Sequence, residues 1–246
     1  MPPKTRENRR PRPVVFQAAS DFFFLLNRAY PRKASLRHVG DRYGLMRAER
    51  ELLHRGVFSQ EEAMHRKARR CLGSDWERTW LVVDGHNVHI TLESAVLERP
   101  LLKGNDGALR DTAGVSGAFG ISEVTEAAVE MVLGFFTAYR PKQVLMLFDA
   151  PMSRSGELAQ RYFRGLRSLG IPGEARAVPV PEREIPYGEC TVASSDQAVL
   201  NTAIQWMDLA CRVLQFKGLL PLLTDFSHLA EARDACRAFP READPF

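Results

Sequence analysis

The chain has 246 residues, 45% of them hydrophobic, enough for one sizeable core with a small satellite module and too apolar for a disordered protein. No apolar run approaches the roughly 20 residues that span a bilayer, and the Arg- and Pro-rich N-terminus lacks the apolar stretch of a secretory signal, so a soluble, cytoplasmic protein is expected. The formal net charge of +4 hides a split: residues 1–78 carry 18 Lys and Arg against 9 Asp and Glu, residues 79–246 carry 16 against 21.

A basic module joined to an acidic one suggests that the first meets a polyanion and the second holds cations. The four cysteines, Cys71, Cys190, Cys211 and Cys236, are far apart and form no CxxC, so they read as reduced thiols and not as a disulfide framework or zinc knuckle. The six histidines are scattered as well.

Residues 1–13 combine too little apolar content with too much proline to fold, and read as a flexible basic tail, either a phosphate-grasping arm or a solubilising terminus. Residues 17–29 repeat apolar positions at helical spacing (Ala18, Phe22, Leu25, Leu26, Ala29) and predict a helix that Pro31 ends. Shorter helices are expected over 34–39 and 47–54, with Gly40 between them. Ser59-Gln60-Glu61-Glu62 is a capping-box pattern opening a fourth helix through Arg70. Its Arg66, Lys67, Arg69 and Arg70 form either a solvated face or a nucleic-acid contact. The spacing of the short helices around Gly40 resembles a helix-turn-helix. A small all-α basic domain over 14–74 is therefore expected, followed by a second domain over 75–246.

That second part opens with an apolar strand, residues 79–84, ending on Asp84-Gly85-His86-Asn87. A helix over 88–97, a hairpin over 101–111 with an Asn105-Asp106-Gly107 tip, and a helix over 123–139 follow. A second buried strand, 142–149, again ends on Asp149, and a helix runs from Ser155 to Ser168. Further strands are expected over 175–180 and 190–196, then a helix from Asp196 through Met207. Strands over 211–216 and 219–223 and a last helix over 227–238 close the prediction.

Alternation of strands and helices argues for an α/β fold with a mainly parallel central sheet, whose strand C-termini face a ligand crevice. Asp84, Asp149 and Asp196 all fall at such ends. Three carboxylates converging without basic partners repel one another unless a cation neutralises them, and hard oxygen donors suit Mg²⁺ or Mn²⁺. The chemistry this points to is metal-assisted hydrolysis of a phosphodiester. The chain carries no GxxxxGK(S/T) phosphate loop, no GxGxxG after the first strand and no GxSxG elbow. Ser155-Gly156 could seat a phosphate at a helix N-terminus or simply cap it.

The motifs VVDGHN (82–87), LMLFDAPMSRSGELA (145–159) and VASSDQAVL (192–200) resemble, in order, the strand-end signatures of PIN-like nucleases. Residues 25–59 together with VVDGHNVHITLESAV (82–96), GNDGALRD (104–111) and DAPMSRSGELA resemble the prokaryotic DUF434 family, whose members pair a small helical domain with a PIN-like domain of the DUF5616 type. The resemblance runs from about residue 17 to 225. It implies a PIN-like three-layer domain and a Mg²⁺- or Mn²⁺-dependent nuclease, most often a ribonuclease, with Asp84, Asp149 and Asp196 as catalytic metal ligands.

By the same resemblance Glu93, Asp106 or Asp111 would supply a fourth acid, and Asn87 would hold either the first carboxylate or a substrate phosphate, unless it merely caps its helix. Ser195, Arg154 and the 66–70 basic cluster would touch substrate. His86 stands where many relatives carry an aromatic residue such as tyrosine, which argues against a catalytic role for it. RNA is the expected partner, with a homodimer open. The competing readings are a catalytically silent RNA- or ribosome-associated protein of the same fold, and a nucleotide-binding or phosphatase-like enzyme on a doubly wound sheet.

Overall fold

The computed structural model describes residues 10–112 and 122–230. Most of the expected basic tail (1–9), the C-terminal part of the expected last helix (231–238) and Cys236 lie outside the described residues.

Four helices come first: α1 (Pro13–Asn27), α2 (Arg32–Arg42), α3 (Arg47–Gly56) and α4 (Gln60–Ala68). Helix α1 begins four residues ahead of the expected start because Pro13 occupies its first turn, where a missing N–H costs nothing. Arg12, placed in the flexible tail by composition, is instead pinned by Glu49 at 2.6 and 2.7 Å. The expected capping box opens α4: the Ser59 hydroxyl accepts the Glu62 N–H, and the Glu62 carboxylate accepts the Ser59 N–H.

Strand β1 (Trp80–Asp84) runs directly into α5 (Gly85–Val96), three residues earlier than expected, because Asp84 is itself the N-cap. Then come β2 (Leu101–Lys103) and β3 (Leu109–Asp111), the expected hairpin, antiparallel and turned at Gly107 with φ +85°. Next are α6 (Glu123–Ala138), β4 (Gln143–Asp149), α7 (Ser155–Ser168), β5 (Gly173–Val178), α8 (Pro181–Glu184) and β6 (Cys190–Ala193). The described chain closes with α9 (Gln197–Thr202), β7 (Gln205–Met207), α10 (Leu209–Phe216), β8 (Leu223–Asp225) and a 3₁₀ turn at Ser227–Ala230.

Three expectations at this end are corrected, the first being the strand expected over 219–223, which forms at Leu223–Asp225 instead. The helix expected through Met207 stops at Thr202, and residues 205–207 pair with β6 as an edge strand instead. The expected strand over 211–216 is helical: the Asp208 carboxylate accepts the Cys211 N–H, and Leu209, Ala210, Val213 and Leu214 are buried at helical spacing. An apolar run this short is ambiguous by periodicity, and the cap decides it.

The main sheet has the order β5-β4-β1-β6-β7, with every pairing parallel. A smaller sheet, β3-β2-β8, lies apart from it. Pleating sends Leu81, Val83, Val144, Met146 and Phe148 to one face, where α5, α6, α7 and α10 cover them. Val82, Leu145, Leu147 and Val192 go to the other face, under Val199, Leu200, Trp206 and Ile185. The result is a three-layer α/β domain with an all-parallel central sheet, as expected from the alternation of elements.

The helical module packs on the small sheet and shares its core. Val15, Phe22, Leu53 and Val57 bury themselves with Leu102, Phe226 and Leu229. Arg66 is fully buried at this junction, donating to Asp106 (2.8 Å) and Asn201 (2.9 Å), while Arg110 grips the same Asp106 with two nitrogens at 2.7 and 2.9 Å.

Candidate functional site

In a parallel sheet of this order the chain leaves β1 toward β4 on one side and returns to β6 on the other. The crevice outside the C-termini of β1 and β6 is thus a topological switch point, the place where α/β folds bind ligands. Asp84 ends β1, the Ser194-Ser195-Asp196 turn follows β6, and Asp149 ends β4 on the other flank of β1. Adjacent strands lie about 4.8 Å apart, and the charges of Asp149 and Asp196 both act on Asp84.

Gly85 makes the abrupt strand-to-helix junction possible. A Cβ there would lie 2.5 Å from the Phe148 ring, so only glycine lets α5 start against β4. The helix start then aims Asn87 at β6, where its side-chain oxygen accepts both the N–H (2.8 Å) and the hydroxyl (2.9 Å) of Ser195. Asn87 also lines a cavity at the switch point, and with that oxygen committed its NH₂ is the polar group left to the side chain.

Asp84 accepts hydrogen bonds from the Ser194 hydroxyl (2.8 Å) and the Asn87 N–H (3.3 Å) and has no cationic partner among the described residues. Burial pushes its pKa up to about 7, against the pull of those two donors, and the neighbouring charges of Asp149 and Asp196 push it further the same way. Asp196 caps α9 by accepting the N–H groups of Ala198 (2.7 Å) and Val199 (3.2 Å), and its own N–H donates to Ser194. The cap role and the strand-end role are thus combined in the same residues.

His86 is buried edge-on against Phe148, and its Nδ1 accepts the Asp149 N–H at 2.9 Å, with the Asp149 carboxylate 3.1 Å from the same nitrogen. Its contact is with the backbone that carries Asp149, which is a positioning role. Sequence reasoning missed this, and it missed Ser194; the paired serines ahead of Asp196 were the available signal for the latter.

The proposed fourth acids do not join the group. Asp106 is fully buried between Arg66 and Arg110, which hold its carboxyl below the ordinary range despite burial, and the Asp111 carboxylate accepts from Arg55 at 3.1 Å. Glu93 sits two helical turns along α5, where His89 (3.2 Å) and Thr125 (2.7 Å) occupy one of its oxygens. Among the described residues no three His, Cys, Asp or Glu side chains stand together as a ready metal cage.

The basic cluster of α4 divides by burial. Arg66 is the junction residue described above, Arg69 donates to the carbonyls of Leu200, Asn201 and Ala203, and Arg70 lies over the Trp206 ring and 3.7 Å from Asp208. Neither reading of a free basic face holds for these three, which tie the helical module to the edge of the main sheet; Lys67 alone is exposed. Arg154 is exposed, in a left-handed conformation (φ +58°), next to Glu157.

A polar cavity of about 300 Å³ opens at the switch point, lined by Asn87, Arg110, Ser195, Asp196 and Gln197 from the α/β domain and by Glu51, His54 and Arg55 from α3. The helical module therefore forms one wall of a cavity that reaches Asp196, while Asp84 and Asp149 are not among its lining residues.

The sequence model for the domain of unknown function DUF5616 matches residues 74–212, and that for the protein of unknown function DUF434 matches residues 14–69. The chain belongs to the DUF5616 family. The DUF434 match covers the four helices and the DUF5616 match covers the main sheet from the turn before β1 into α10, so the two models divide the chain as the sequence resemblance implied. A similar protein is the uncharacterized protein MJ0935 of Methanocaldococcus jannaschii, 29% identical over 188 residues, which are 76% of this chain and 89% of that protein. No solved structure matches. The switch-point crevice of this DUF5616 chain takes its residues from both matched segments.

Proposed function

We propose that the protein is a metal-dependent nuclease that hydrolyses phosphodiester bonds, with RNA as the leading substrate. The observation that carries this reading is the Asp84 carboxyl group, half-buried at the end of β1 with hydrogen bonds from neutral donors, its pKa pushed up to about 7 by desolvation and by the charges of Asp149 and Asp196. A carboxylate so placed gains most from a cation.

The donor set fits Mg²⁺ or Mn²⁺ in one respect that matters. These ions keep several waters and bind through one or two carboxylates plus substrate phosphates, so a closed three-acid cage is not required. Asp84 and Asp149 would hold the ion, with Asp196 on the β6 side. When bound, it supplies Lewis-acid stabilisation of phosphoryl oxygens and a more acidic attacking water.

The chain's own residues do the rest. Ser194 and the Asn87 N–H orient Asp84, and His86 holds the β4 end that carries Asp149. Asn87, which lines the cavity, would offer its NH₂ to a phosphate oxygen.

The test is cleavage of an end-labelled single-stranded uridine dodecamer with Mn²⁺. The parent should cut it and chelation should stop it, whereas Asp84→Asn with Asp149→Asn should lose activity by about a thousandfold or more, the scale of removing a site's main electrostatic stabilisation. Equal cleavage by parent and double variant would defeat the assignment. The capping roles of Asp84 and Asp196 favour a second reading, a silent nucleic-acid-binding protein of the same fold; it predicts binding of the dodecamer without Mn²⁺-dependent cleavage by the parent.

A further inference from the structure

We infer that the helical module supplies a nucleotide-binding wall to the switch-point crevice, in which Arg55, with His54 at the rim, takes a backbone phosphate of a single-stranded nucleic acid. The cavity is built from two separate parts of the chain, α3 on one side and the β1 and β6 ends on the other. At about 300 Å³ it is at the small end of ligand sites, with room for one nucleotide unit and none for a double helix.

The lining chemistry matches a phosphodiester flanked by polar groups. One Arg55 nitrogen is anchored by the Asp111 carboxylate at 3.1 Å, and the side chain remains about a quarter exposed (28%), so the guanidinium is held in place with its remaining donors available. Such a tethered fork is already oriented for a phosphate and loses little freedom on binding it. Asn87 also lines the cavity, and because its oxygen is committed to Ser195 its NH₂ is the group it can offer a ligand, a neutral donor. Arg110 also borders the cavity, but all its nitrogens donate to Asp106, Ala108 and Ser195, so Arg55 is the cation left for a ligand there. Asp196 and Gln197 close the side toward the acids, and Glu51 stands at the outer edge as an acceptor for a sugar hydroxyl or base amine.

This placement gives α3 a task that its sequence did not announce. The other arginines around the junction are internally bonded: Arg32 to the carbonyls of His54 and Val57, and Arg50 to Asp41 and Leu45. The inference takes from the proposed nuclease reading only that the crevice holds nucleic acid, and binding can be measured without any metal.

Fluorescence anisotropy in EDTA with labelled uridine and deoxyuridine dodecamers, and with a 12-base-pair duplex, tests it. Arg55→Gln, whose amide can still donate to Asp111, should weaken single-strand binding about tenfold and reduce the salt slope by about one, as for loss of one phosphate contact. Arg37→Gln, on an exposed site of α2, should leave affinity within twofold. Tighter binding of the uridine than of the deoxyuridine strand identifies RNA as the source of the phosphate, and equal affinity identifies either.

A wall for one nucleotide is overturned if the duplex binds as tightly as the single strands, or if Arg55→Gln and Arg37→Gln behave alike. In case Arg55→Gln folds poorly, photo-crosslinking of a 4-thiouridine dodecamer to the unaltered protein decides. Adducts within residues 51–55, 87 or 195–197 support the assignment, and adducts confined elsewhere contradict it. Because cleavage is never read, failure of the nuclease reading would show in the Mn²⁺ assay and leave this measurement standing.

Discussion

Asp84 carries a stability cost with a definite pH dependence. Its folded-state pKa of about 7 stands above the ordinary carboxyl value of about 3.9, so between those two pH values the folded state binds the extra proton. Stability should therefore fall as pH rises through that window, by at most ~4 kcal/mol for a shift of about three units. Denaturant unfolding in EDTA at pH about 4.5 and about 7.5 should show a smaller loss for Asp84→Asn than for the parent; an unchanged difference would mean that the carboxyl is not strained. Gly85→Ala should cost about 1–3 kcal/mol, since the added methyl must displace the Phe148 ring. Asp106→Asn should cost more, about 3–5 kcal/mol, because two buried guanidinium groups lose their shared counter-charge. Urea midpoints of the two variants check that ranking.

The elements that local chemistry dictates were legible in the sequence. Ser59 and Glu62 announced α4, and Ser59→Ala should lower stability by about 1 kcal/mol in a thermal or urea melt. Strands β1 and β4 and the Asn-Asp-Gly hairpin were equally plain, because an apolar run with a turn residue at its end admits few other structures. The misread stretches are those decided by tertiary contact. Residues 205–207 become a strand because Trp206 docks on the chain leaving α4: its indole donates to the Arg66 carbonyl at 2.8 Å and its N–H to the Arg69 carbonyl at 3.1 Å. In α10 the cap from Asp208 overrides the β-like composition of Cys211 and Val213. Of the candidate site, the positions of Asp84 and Asp149 at strand ends were readable from the sequence, whereas the strand expected through Asp196 stops at Ala193 and Asp196 caps α9. Spacing could not say that Asp106 faces Arg66, that Asp111 faces Arg55 or that Arg55 reaches the crevice, because the first two pairings join residues 40 and 56 apart and the third joins α3 to the end of β6.

For the whole molecule, the charge split marks two different things. Counting placed a surplus of arginine in the first third, yet Arg12, Arg32, Arg50, Arg66, Arg69 and Arg70 bond to carboxylates and carbonyls within the fold. Much of the basic character is structural, and charge totals cannot separate it from a docking surface. The shared core has a further consequence. A fragment starting at residue 74 exposes Leu102, Phe226 and Leu229 and leaves Asp106 without Arg66, so it should unfold at lower temperature than the full chain or without a cooperative transition. A fragment melting like the full chain would show that the two segments are independent.

Anomalous diffraction from crystals soaked in millimolar Mn²⁺ probes the proposed divalent-ion site at Asp84, Asp149 and Asp196. A Mn²⁺ peak is expected at direct coordination distance, about 2 Å, from Asp84 and at least one of the other two carboxylates. Crystals that take up Mn²⁺ only elsewhere, with the strand-end carboxylates bonded as before to Ser194, Asn87, Ala198 and Val199, would contradict it.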